Sequence, residues 1–383
     1  FAGVNSFPIL AMPLFMLAGD IMTRSRIIER LVRLSEVVVG HWRGGLGHVN
    51  VLASTFFAGI SGSAVADASG LGPIEIAMMS KAGYSREYSA AVTAASAVIG
   101  PIIPPSIIMV IYGALMNVSI AAMFAGAIVP GILMAFGLMI VNYIISTKQH
   151  YPKRDKKATF TEIIGALGQS ILPLGMPLII LGGILGGIFT PTEAAGVAVA
   201  YGLILGLVIY RSISLKDIVK SLLYAFRTSG TVMIILSAGA VLSWLFAVNH
   251  VPEALSATFI SLAGNNKVLM LLIINILLLI VGTFMDITAA LIILAPVLAP
   301  LATNLGVHPI QFGVIMCINL NIGLITPPVG AVLFVTSGVA KIKFEHLIRE
   351  IWPFILVEVI VLFLVTYVPA TVLTVPRFLG LLK

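Results

Sequence analysis

Two long stretches of the chain contain no charged residue. Residues 88–147 and 287–340 hold no Asp, Glu, Lys or Arg, and each stretch is far longer than the roughly 20 residues that a helix needs to span a bilayer. The composition agrees, since 59% of the 383 residues are hydrophobic and 10% are charged, whereas soluble domains carry about 25% charged residues. The sequence therefore predicts an all-α polytopic membrane protein.

A set of Gly and Pro residues occurs twice in the chain, always 223 positions apart. The first copy comprises Gly59, Pro73, Gly83, Gly100, Pro104 and Pro105. The second copy comprises Gly282, Pro296, Gly306, Gly323, Pro327 and Pro328. Apolar helices that are broken at matching places in two halves point to the binding site of a secondary transporter.

Each repeat contains an apolar segment that is interrupted in its middle. Segments 47–80 and 267–302 carry Gly and polar residues near their centres, and we interpret them as re-entrant helical hairpins with tips near 60–64 and 282–286. Irregular backbone at membrane depth is tolerated only where protein buries it or where it lines a water-filled cavity. The tips are therefore expected inside the protein.

Each repeat also contains a helix that prolines interrupt. Doubled prolines fall within 86–116 and 309–338, where each proline lacks an N–H donor and clashes with the preceding turn. Carbonyl groups at these breaks lose their helical donors and become free to face an ion. The sequence therefore predicts one broken helix in each half.

The basic residues indicate the topology. Cytoplasmic loops carry an excess of Lys and Arg, so we place the basic loop 148–157 on the cytoplasmic side. Of the 22 Lys and Arg, only three then lie outside: Lys267, Arg377 and Lys383. Five crossings then separate the two hairpins, so that one opens from the cytoplasm and the other from outside. The repeats are therefore predicted to be inverted. This topology also explains the net charge of +7, so no nucleic-acid partner is expected.

Four segments combine apolar and charged residues at helical spacing. They are 25–39, 159–170, 213–226 and 340–351. We interpret them as amphipathic helices on the membrane surface, either as plain connections or as part of a scaffold around a moving core.

The predicted elements group into five parts along the chain. A first span with its amphipathic scaffold arm occupies 1–46, and the transport core of the first repeat occupies 47–118. Scaffold spans and connecting helices occupy 119–266. The transport core of the second repeat occupies 267–338, and a surface helix with the last scaffold span occupies 339–383.

The first tip and the first break offer oxygen atoms to a cation. Ser61 and Ser63 supply hydroxyl groups at the tip, and the break exposes carbonyl groups around Gly100 and Ile103. Oxygen ligands suit hard cations, and sodium is one. A sodium site is therefore predicted here, against the alternative that small polar residues serve only helix packing.

The second repeat offers a similar set of oxygen atoms. Gly282 lies at its tip, and Gly323, Thr326 and Val329 occupy the second break. Two similar oxygen cages, one in each half, are the natural inference. The alternative is that the prolines only kink the helices.

Asp286, at the second tip, is an ionisable group at membrane depth, which is a candidate functional residue by default. It is the only acid between Lys267 and Lys341. It would bind a substrate hydroxyl, orient a sodium ligand or carry a proton, or else cap the second arm of the hairpin. Asp67 is either functional or paired with a basic residue.

Several classes of function are disfavoured. The single Cys317 excludes a disulfide framework and argues against a transition-metal site. The sequence contains no Walker motif and no nucleophile elbow, so we expect neither ATP hydrolysis nor other enzymatic activity. Because the chain begins at Phe1 rather than Met, we expect a further segment before it.

Six stretches of sequence, spread over nearly the whole chain, match one family in the family's order. They are SFPILAMPLF at 6–15, GGLGHVN at 44–50, GISGSAVAD at 59–67, GPIIPPS at 100–106, GIFTPTE at 187–193 and TPPVG at 326–330. Together they make the chain resemble the large membrane subunit of tripartite ATP-independent periplasmic (TRAP) transporters.

The resemblance implies an elevator-type sodium symporter for organic anions in the bacterial inner membrane. It implies two protein partners, a small membrane subunit and a soluble periplasmic binding protein. The sodium sites of the family carry over to Ser61, Ser63, Gly100 and Ile103 for one ion, and to Gly282, Gly323, Thr326 and Val329 for the other.

The resemblance also implies where the substrate binds. It is expected between the tips, near Ser61, Ser96 and Asp286. The Gly-x-Phe-x-Asp pattern at 282–286 resembles that of sialic-acid members, which favours sialic acid slightly as the substrate. C4-dicarboxylates are the next candidate. Three alternatives stay open: a proton-coupled carrier that uses Asp286 or Asp67, a channel, and a purely structural subunit.

Overall fold

A computed structural model of the chain describes residues 5–25, 27–153, 157–251 and 266–382. These residues form helices and connecting turns, with no β-strand among them. The helices of the first half are α1 (Ala11–Arg24), α2 (Ile28–Val39), α3 (Gly45–Ser61), α4 (Ala64–Gly70), α5 (Gly72–Lys81), α6 (Arg86–Ala97), α7 (Ile107–Met116) and α8 (Ile120–Lys148). A short 3₁₀ helix, Phe7–Leu10, leads into α1.

The remaining helices follow in chain order, and a π-helical segment, Ile204–Ile209, extends α10. They are α9 (Phe160–Leu185), α10 (Pro191–Leu203), α11 (Leu215–Val248), α12 (Lys267–Phe284), α13 (Ile287–Asn304), α14 (Pro309–Gly323), α15 (Ala331–Ala340), α16 (Phe344–Tyr367) and α17 (Ala370–Phe378).

Seven helical segments of the described residues are long and apolar enough to cross a membrane. They are Phe7–Arg24, α8, α9, Pro191–Ile209, α11, α12 and α13. The pair α16 and α17, bent by 62°, passes the same criteria as one broken span. The prediction of an all-α polytopic membrane protein is confirmed.

Both predicted hairpins are interrupted at their predicted tips. In the first, α3 ends at Ser61 and α4 begins at Ala64. Gly62 between them has a φ of +61°, a conformation that glycine adopts without steric cost. In the second, α12 ends at Phe284 and α13 begins at Ile287.

Residues at equivalent positions of the two repeats cap the helices that follow the tips. Ser63 Oγ accepts a hydrogen bond from the N–H of Ala66 at 3.4 Å. Asp286 Oδ1 accepts from the N–H groups of Thr288 at 2.9 Å and Ala289 at 3.3 Å. Ser63 and Asp286 are 223 positions apart, so the repeat keeps the cap but changes its charge.

The doubled prolines interrupt both predicted broken helices. The break between α6 and α7 holds a cis peptide bond between Pro104 and Pro105, and the break between α14 and α15 holds one between Pro327 and Pro328. The matching geometry agrees with the repeat that the sequence predicts.

Three predicted surface helices are not separate elements. Segments 159–170, 213–226 and 340–351 belong largely to the first turns of α9, α11 and α16, which continue into the spans. No new N-cap separates the two parts, so the helices do not stop. The 34 residues of α11 extend over about 51 Å, which exceeds the hydrocarbon thickness of about 30 Å.

The two repeats pack against each other. Helix α12 packs on α14, and α13 packs on both α14 and α7. Helices α8 and α16, which the sequence assigned to the scaffold segments 119–266 and 339–383, contact each other and helices of the repeats, including α6 and α14, and α8 packs most extensively on α17. Helices α1, α10 and α11 form a second group, in which α1 contacts both others. Which helices move stays a prediction.

Gly282 and Gly323 allow two backbones to touch in the second repeat. A Cβ atom on Gly323 would lie 2.4 Å from the carbonyl carbon of Gly282. We expect Gly323→Ala to lower the free energy of unfolding by about 1–3 kcal/mol, the usual effect of overpacking.

Gly338→Ala is the matched control for this substitution, because nothing lies within 4 Å of a Cβ atom there. Alanine should leave that helix as stable or more stable, by up to about 1 kcal/mol. Thermal unfolding in detergent measures both variants. Equal midpoints would contradict the close approach of the two glycines.

The cap at Asp286 makes a separate prediction. Asp286→Ala should lower stability by about 0.5–2 kcal/mol, whereas Asp286→Asn keeps a good cap and should stay near the wild type. Denaturation of both variants measures the difference. A loss of equal size in the Asn variant would show that stability depends on the charge rather than on the cap.

Candidate functional site

A cavity of about 690 Å³ lies between the two hairpin tips. The two breaks and α11 complete its wall. The first repeat contributes Gly62, Ser63, Ala64, Val65, Pro101, Ile107 and Ile108. The second repeat contributes 282–288, Leu324, Val329 and Ala331. Met16, Arg227, Thr228, Thr231, Val232 and Ile235 come from α1 and α11. Its volume is typical of small-molecule sites.

The first tip holds a buried carboxylate. Ser61 Oγ donates a short hydrogen bond to Asp67 Oδ1, and both side chains are buried. The other oxygen, Asp67 Oδ2, has no hydrogen-bond partner. It faces the first break, since a Cβ atom on Gly100 would lie 2.5 Å from it. The structure therefore brings Ser61, Asp67 and Gly100 together, and Asp67 has no basic partner among the described residues.

The first break also turns a carbonyl group toward the tip. A Cβ atom on Gly62 would lie 2.7 Å from the carbonyl oxygen of Pro105, so only glycine fits. Ser106 Oγ donates a short hydrogen bond to the carbonyl oxygen of Pro101 and accepts from the N–H of Met109 at 3.4 Å. Ile103, in contrast, packs toward Gly131 on α8.

The second tip and the second break are joined through their backbones. Gly282 contacts Gly323, and the N–H of Gly330 donates to the carbonyl oxygen of Thr283 at 3.5 Å. Thr326 Oγ1 donates to the carbonyl oxygen of Ile322 at 2.8 Å. The four residues predicted for the second sodium site thus lie on two adjacent segments, with Gly282 and Val329 at the cavity wall.

The repeats differ in charge behind their tips. Asp67 lies on α4, and the position 223 residues later is Ala290, which is buried on α13. The first repeat therefore places a carboxylate next to its break, and the second repeat has a methyl group at that position.

Asp286 faces the cavity and is exposed. Its Oδ1 accepts hydrogen bonds from two backbone N–H groups at the start of α13. Asp286 is therefore a helix cap, as one of the alternatives from the sequence has it. Its other oxygen makes no hydrogen bond to the described residues. A carboxylate in this place can still accept a hydrogen bond from a ligand.

Ser96 does not reach the cavity, although the resemblance placed it near the substrate. It is fully buried, and its hydroxyl donates to Asn50 Oδ1 at 2.6 Å. Ser54 Oγ lies 3.1 Å from it, and Asn50 Nδ2 donates to Thr93 Oγ1 at 2.7 Å. This polar network joins α3 to α6, which gives Ser96 a packing role.

A matching network exists in the second repeat. Asn319 lies 223 positions after Ser96, and its Nδ2 donates to the backbone oxygen and Oδ1 of Asn275 at 3.0 and 2.8 Å. Asn275 Nδ2 donates to Thr366 Oγ1 at 3.1 Å. Each hairpin is therefore attached to its broken helix by buried side-chain hydrogen bonds.

Arg227 is one of the basic residues that the predicted topology places on the cytoplasmic side, so the sequence did not predict it at a ligand site. In the structure Arg227 lies within α11 and lines the cavity with Thr228, Thr231 and Ile235. The spacing of these residues is that of one helix face. That periodicity was the available signal, but it does not reveal which face meets the tips.

No group of three or more His, Cys, Asp or Glu side chains among the described residues could hold a metal ion. The oxygen atoms at the tips and breaks come from hydroxyl groups, carbonyl groups and the carboxyl groups of Asp67 and Asp286. Such a set suits a hard monovalent cation better than a transition metal.

Comparisons with known proteins identify the family. The family model described as "Tripartite ATP-independent periplasmic transporter, DctM component" matches residues 1–371. The sialic acid TRAP transporter large permease protein SiaM of Vibrio cholerae is 41% identical over 382 residues, which cover 99% of this chain and 88% of that protein. The C4-dicarboxylate TRAP transporter large permease protein DctM of Pseudomonas aeruginosa is 37% identical over 375 residues, covering 98% and 87%.

A solved structure shares the fold. The YdaH transporter of Alcanivorax borkumensis superposes with a TM-score of 0.68 at 16% sequence identity, covering 94% of this chain and 84% of that one. The two chains therefore share their helical architecture. Relatives that match nearly the whole chain are permeases, so the chain is a permease rather than an enzyme. The chain belongs to the DctM component family of tripartite ATP-independent periplasmic transporters, the large multi-pass permeases of the bacterial inner membrane.

Proposed function

We propose that this permease is a sodium-coupled symporter that imports an organic carboxylate by an elevator mechanism. The observation that carries the proposal is the cavity that both hairpin tips and both proline breaks line. Ligand sites in inverted-repeat transporters lie at the interface of the repeats, where discontinuous helices offer free backbone groups.

Oxygen geometry supports sodium as the coupling ion. In the first repeat, Ser61, Ser63 and the break at Gly100 and Ile103 would hold one ion, with the free oxygen of Asp67 beside them. A cation bound there would stabilise the ionised form of the Asp67 carboxyl group, and the low dielectric would strengthen their attraction.

The second ion would be held by Gly282, Gly323, Thr326 and Val329. Only backbone carbonyls and one hydroxyl are available there, which is the ligand type that unwound transporter helices offer to sodium. Binding would fix the tip against the break and so shape the cavity wall.

One helix end supports an anionic substrate. The N-terminus of α7 lies at the cavity, where Ile107 and Ile108 line it, and a helix N-terminus carries partial positive charge. Related permeases are named for sialic acid and C4-dicarboxylates, so we propose an organic acid of these classes as the substrate.

The packing supports a division into a moving core and a fixed scaffold. The helices of the two repeats, α3–α7 and α12–α15, would form the core, and the remaining helices would form the scaffold, in which α1 contacts α10 and α11 and α8 contacts α16 and α17. Each sodium ion carried inward contributes about 2.3 kcal/mol per 100 mV of membrane potential. Two sodium ions with one monoanion would move a net positive charge inward, which favours uptake.

The partners follow from the family and from the surface. A periplasmic binding protein would deliver the substrate, and a small membrane subunit would complete the scaffold. Helices α9 and α11 leave large apolar side chains exposed, among them Leu178, Phe226 and Ile234. Such a surface suits lipid and a partner helix.

Proton coupling through Asp286 is the alternative. The carboxylate accepts two backbone hydrogen bonds as a helix cap. This structural role accounts for an acid at the second tip without proton transfer, and the oxygen atoms at both breaks support sodium coupling instead.

Sodium should stabilise the purified permease in a saturable way. A ligand that binds only the folded state stabilises by RT ln(1 + [L]/Kd), about 2.7 kcal/mol at 100 times Kd. Thermal unfolding in sodium against potassium at constant ionic strength measures this shift. Ser63→Ala and Thr326→Ala should each weaken the sodium-specific part, and Asp67→Asn should weaken it most.

Thr374→Ala is the matched control, since Thr374 Oγ1 also donates to a helix carbonyl, that of Ala370 at 2.6 Å, but lies outside both repeats. It should respond to sodium as the wild type does. Identical unfolding curves of the wild type in the two salts would contradict sodium coupling.

A further inference from the structure

One arginine faces the cavity from outside the two repeats. Arg227 lies 12 residues after the start of α11, and it lines the cavity together with Thr228 and Thr231. Thr231 Oγ1 donates a hydrogen bond to the backbone carbonyl oxygen of Arg227 at 3.1 Å. This bond does not involve the guanidinium group.

The guanidinium has no acidic partner in the part of the chain that the structure describes. The ion pairs recorded there join Arg24 to Asp20 and Lys220 to Asp217, and no hydrogen bond from the Arg227 side chain is present. Arg227 is exposed on a helix that crosses the membrane, and an ionisable group on such a helix normally pairs with an opposite charge or faces water and ligand. A ligand carboxylate would supply that charge, and the planar guanidinium suits a carboxylate with two parallel hydrogen bonds.

The charges in the cavity wall allow one carboxylate, not two. Among the described lining residues, Arg227 is the only basic side chain and Asp286 the only acidic one. A second carboxylate placed near Asp286 would meet a like charge in a partly apolar site, which is unfavourable. Asp286 would instead accept hydrogen bonds from hydroxyl or amide N–H groups.

The remaining wall suits a ligand with a carbon skeleton of some size. Met16, Ile235 and Phe284 present apolar surface, while Ser63, Thr228 and Thr231 offer hydroxyl groups. The cavity volume of about 690 Å³ lies within the range of about 300–1,000 Å³ that drug-sized ligands occupy. Both features favour a polyhydroxylated acid over a four-carbon diacid.

We propose that Arg227 binds the carboxylate of a hydroxylated monocarboxylic acid whose hydroxyl groups are held at Asp286. This inference rests on the proposed transport function and deepens it by naming the substrate class. Arg227 is a binding residue on α11, and Asp286 acts both as a helix cap and as the group that rejects a second carboxylate.

The test measures binding to the intact permease complex in nanodiscs by isothermal titration in sodium buffer. The probes are three sugar acids, N-acetylneuraminate, D-glucuronate and D-gluconate, with succinate as the diacid. At least one sugar acid should bind to the wild type more tightly than succinate. Binding of succinate with equal or higher affinity, or no binding of any sugar acid, would overturn the proposal.

Variants distinguish the loss of carboxylate binding by Arg227 from a general loss of structure. Arg227→Ala should lower the affinity for the sugar acid by about tenfold to a hundredfold, since hydrogen bonds to charged groups contribute roughly 1.5–3 kcal/mol. Arg227→Lys should restore part of the loss, because it keeps the charge without the paired geometry. Lys220→Ala removes one positive charge from the same helix without touching the cavity and should bind as the wild type does.

A gain of binding tests the role of Asp286. Asp286→Asn keeps a good cap but removes the negative charge, so it should bind succinate more tightly than the wild type and the sugar acid less tightly. Wild-type affinity for the sugar acid in Arg227→Ala, or unchanged discrimination in Asp286→Asn, would contradict the assignment.

The sodium dependence distinguishes this proposal from the proposed function. If sugar-acid binding needs Arg227 but persists unchanged in potassium, sodium coupling is wrong and the role of Arg227 in binding the carboxylate is supported. If sodium strengthens binding but Arg227→Ala binds the sugar acid normally, sodium coupling is supported and the role of Arg227 is wrong.

Discussion

The architecture depends on backbone groups that the doubled prolines leave without helical partners. Within a membrane each such group must be satisfied by protein or face a water-filled cavity. In this chain the hairpin tips approach the breaks at contact distance, through Gly62 beside the Pro105 carbonyl and through Gly282 against Gly323. Hairpin and break therefore form one unit in each half, and the ligand cavity is the space that two such units leave between them.

Buried side-chain hydrogen bonds hold each unit together. Ser96 with Asn50 in the first repeat, and Asn319 with Asn275 in the second, attach a hairpin arm to its broken helix. An unpaired polar group in these interiors would be costly, so the bonds specify how the helices are rotated against each other. The same rotation directs the tips toward the cavity, which links the packing inside each repeat to the shape of the site.

The sequence predicted the elements that Gly, Pro and apolar length determine. The tips at 60–64 and 282–286 and both breaks belong to this class, because these residues constrain the backbone wherever they occur. Ser63 and Asp286, at the predicted tips, do line the cavity. The positions of polar residues within the helices depend on helix rotation and were not predicted: Ser96 is internal, and Arg227 lies at the wall. Surface helices were wrongly separated from α9, α11 and α16, because amphipathic composition alone does not end a helix.

The difference between Asp67 and Ala290 makes the two halves chemically unequal, although the backbone repeats. A cation site that contains its own ionised carboxylate would bind its ion at lower concentration than one built from neutral dipoles, because a low dielectric strengthens the attraction between opposite charges. Two ions bound by such a pair of sites would load in order, the first repeat before the second. Duplication would then have produced a hierarchy rather than two equal sites.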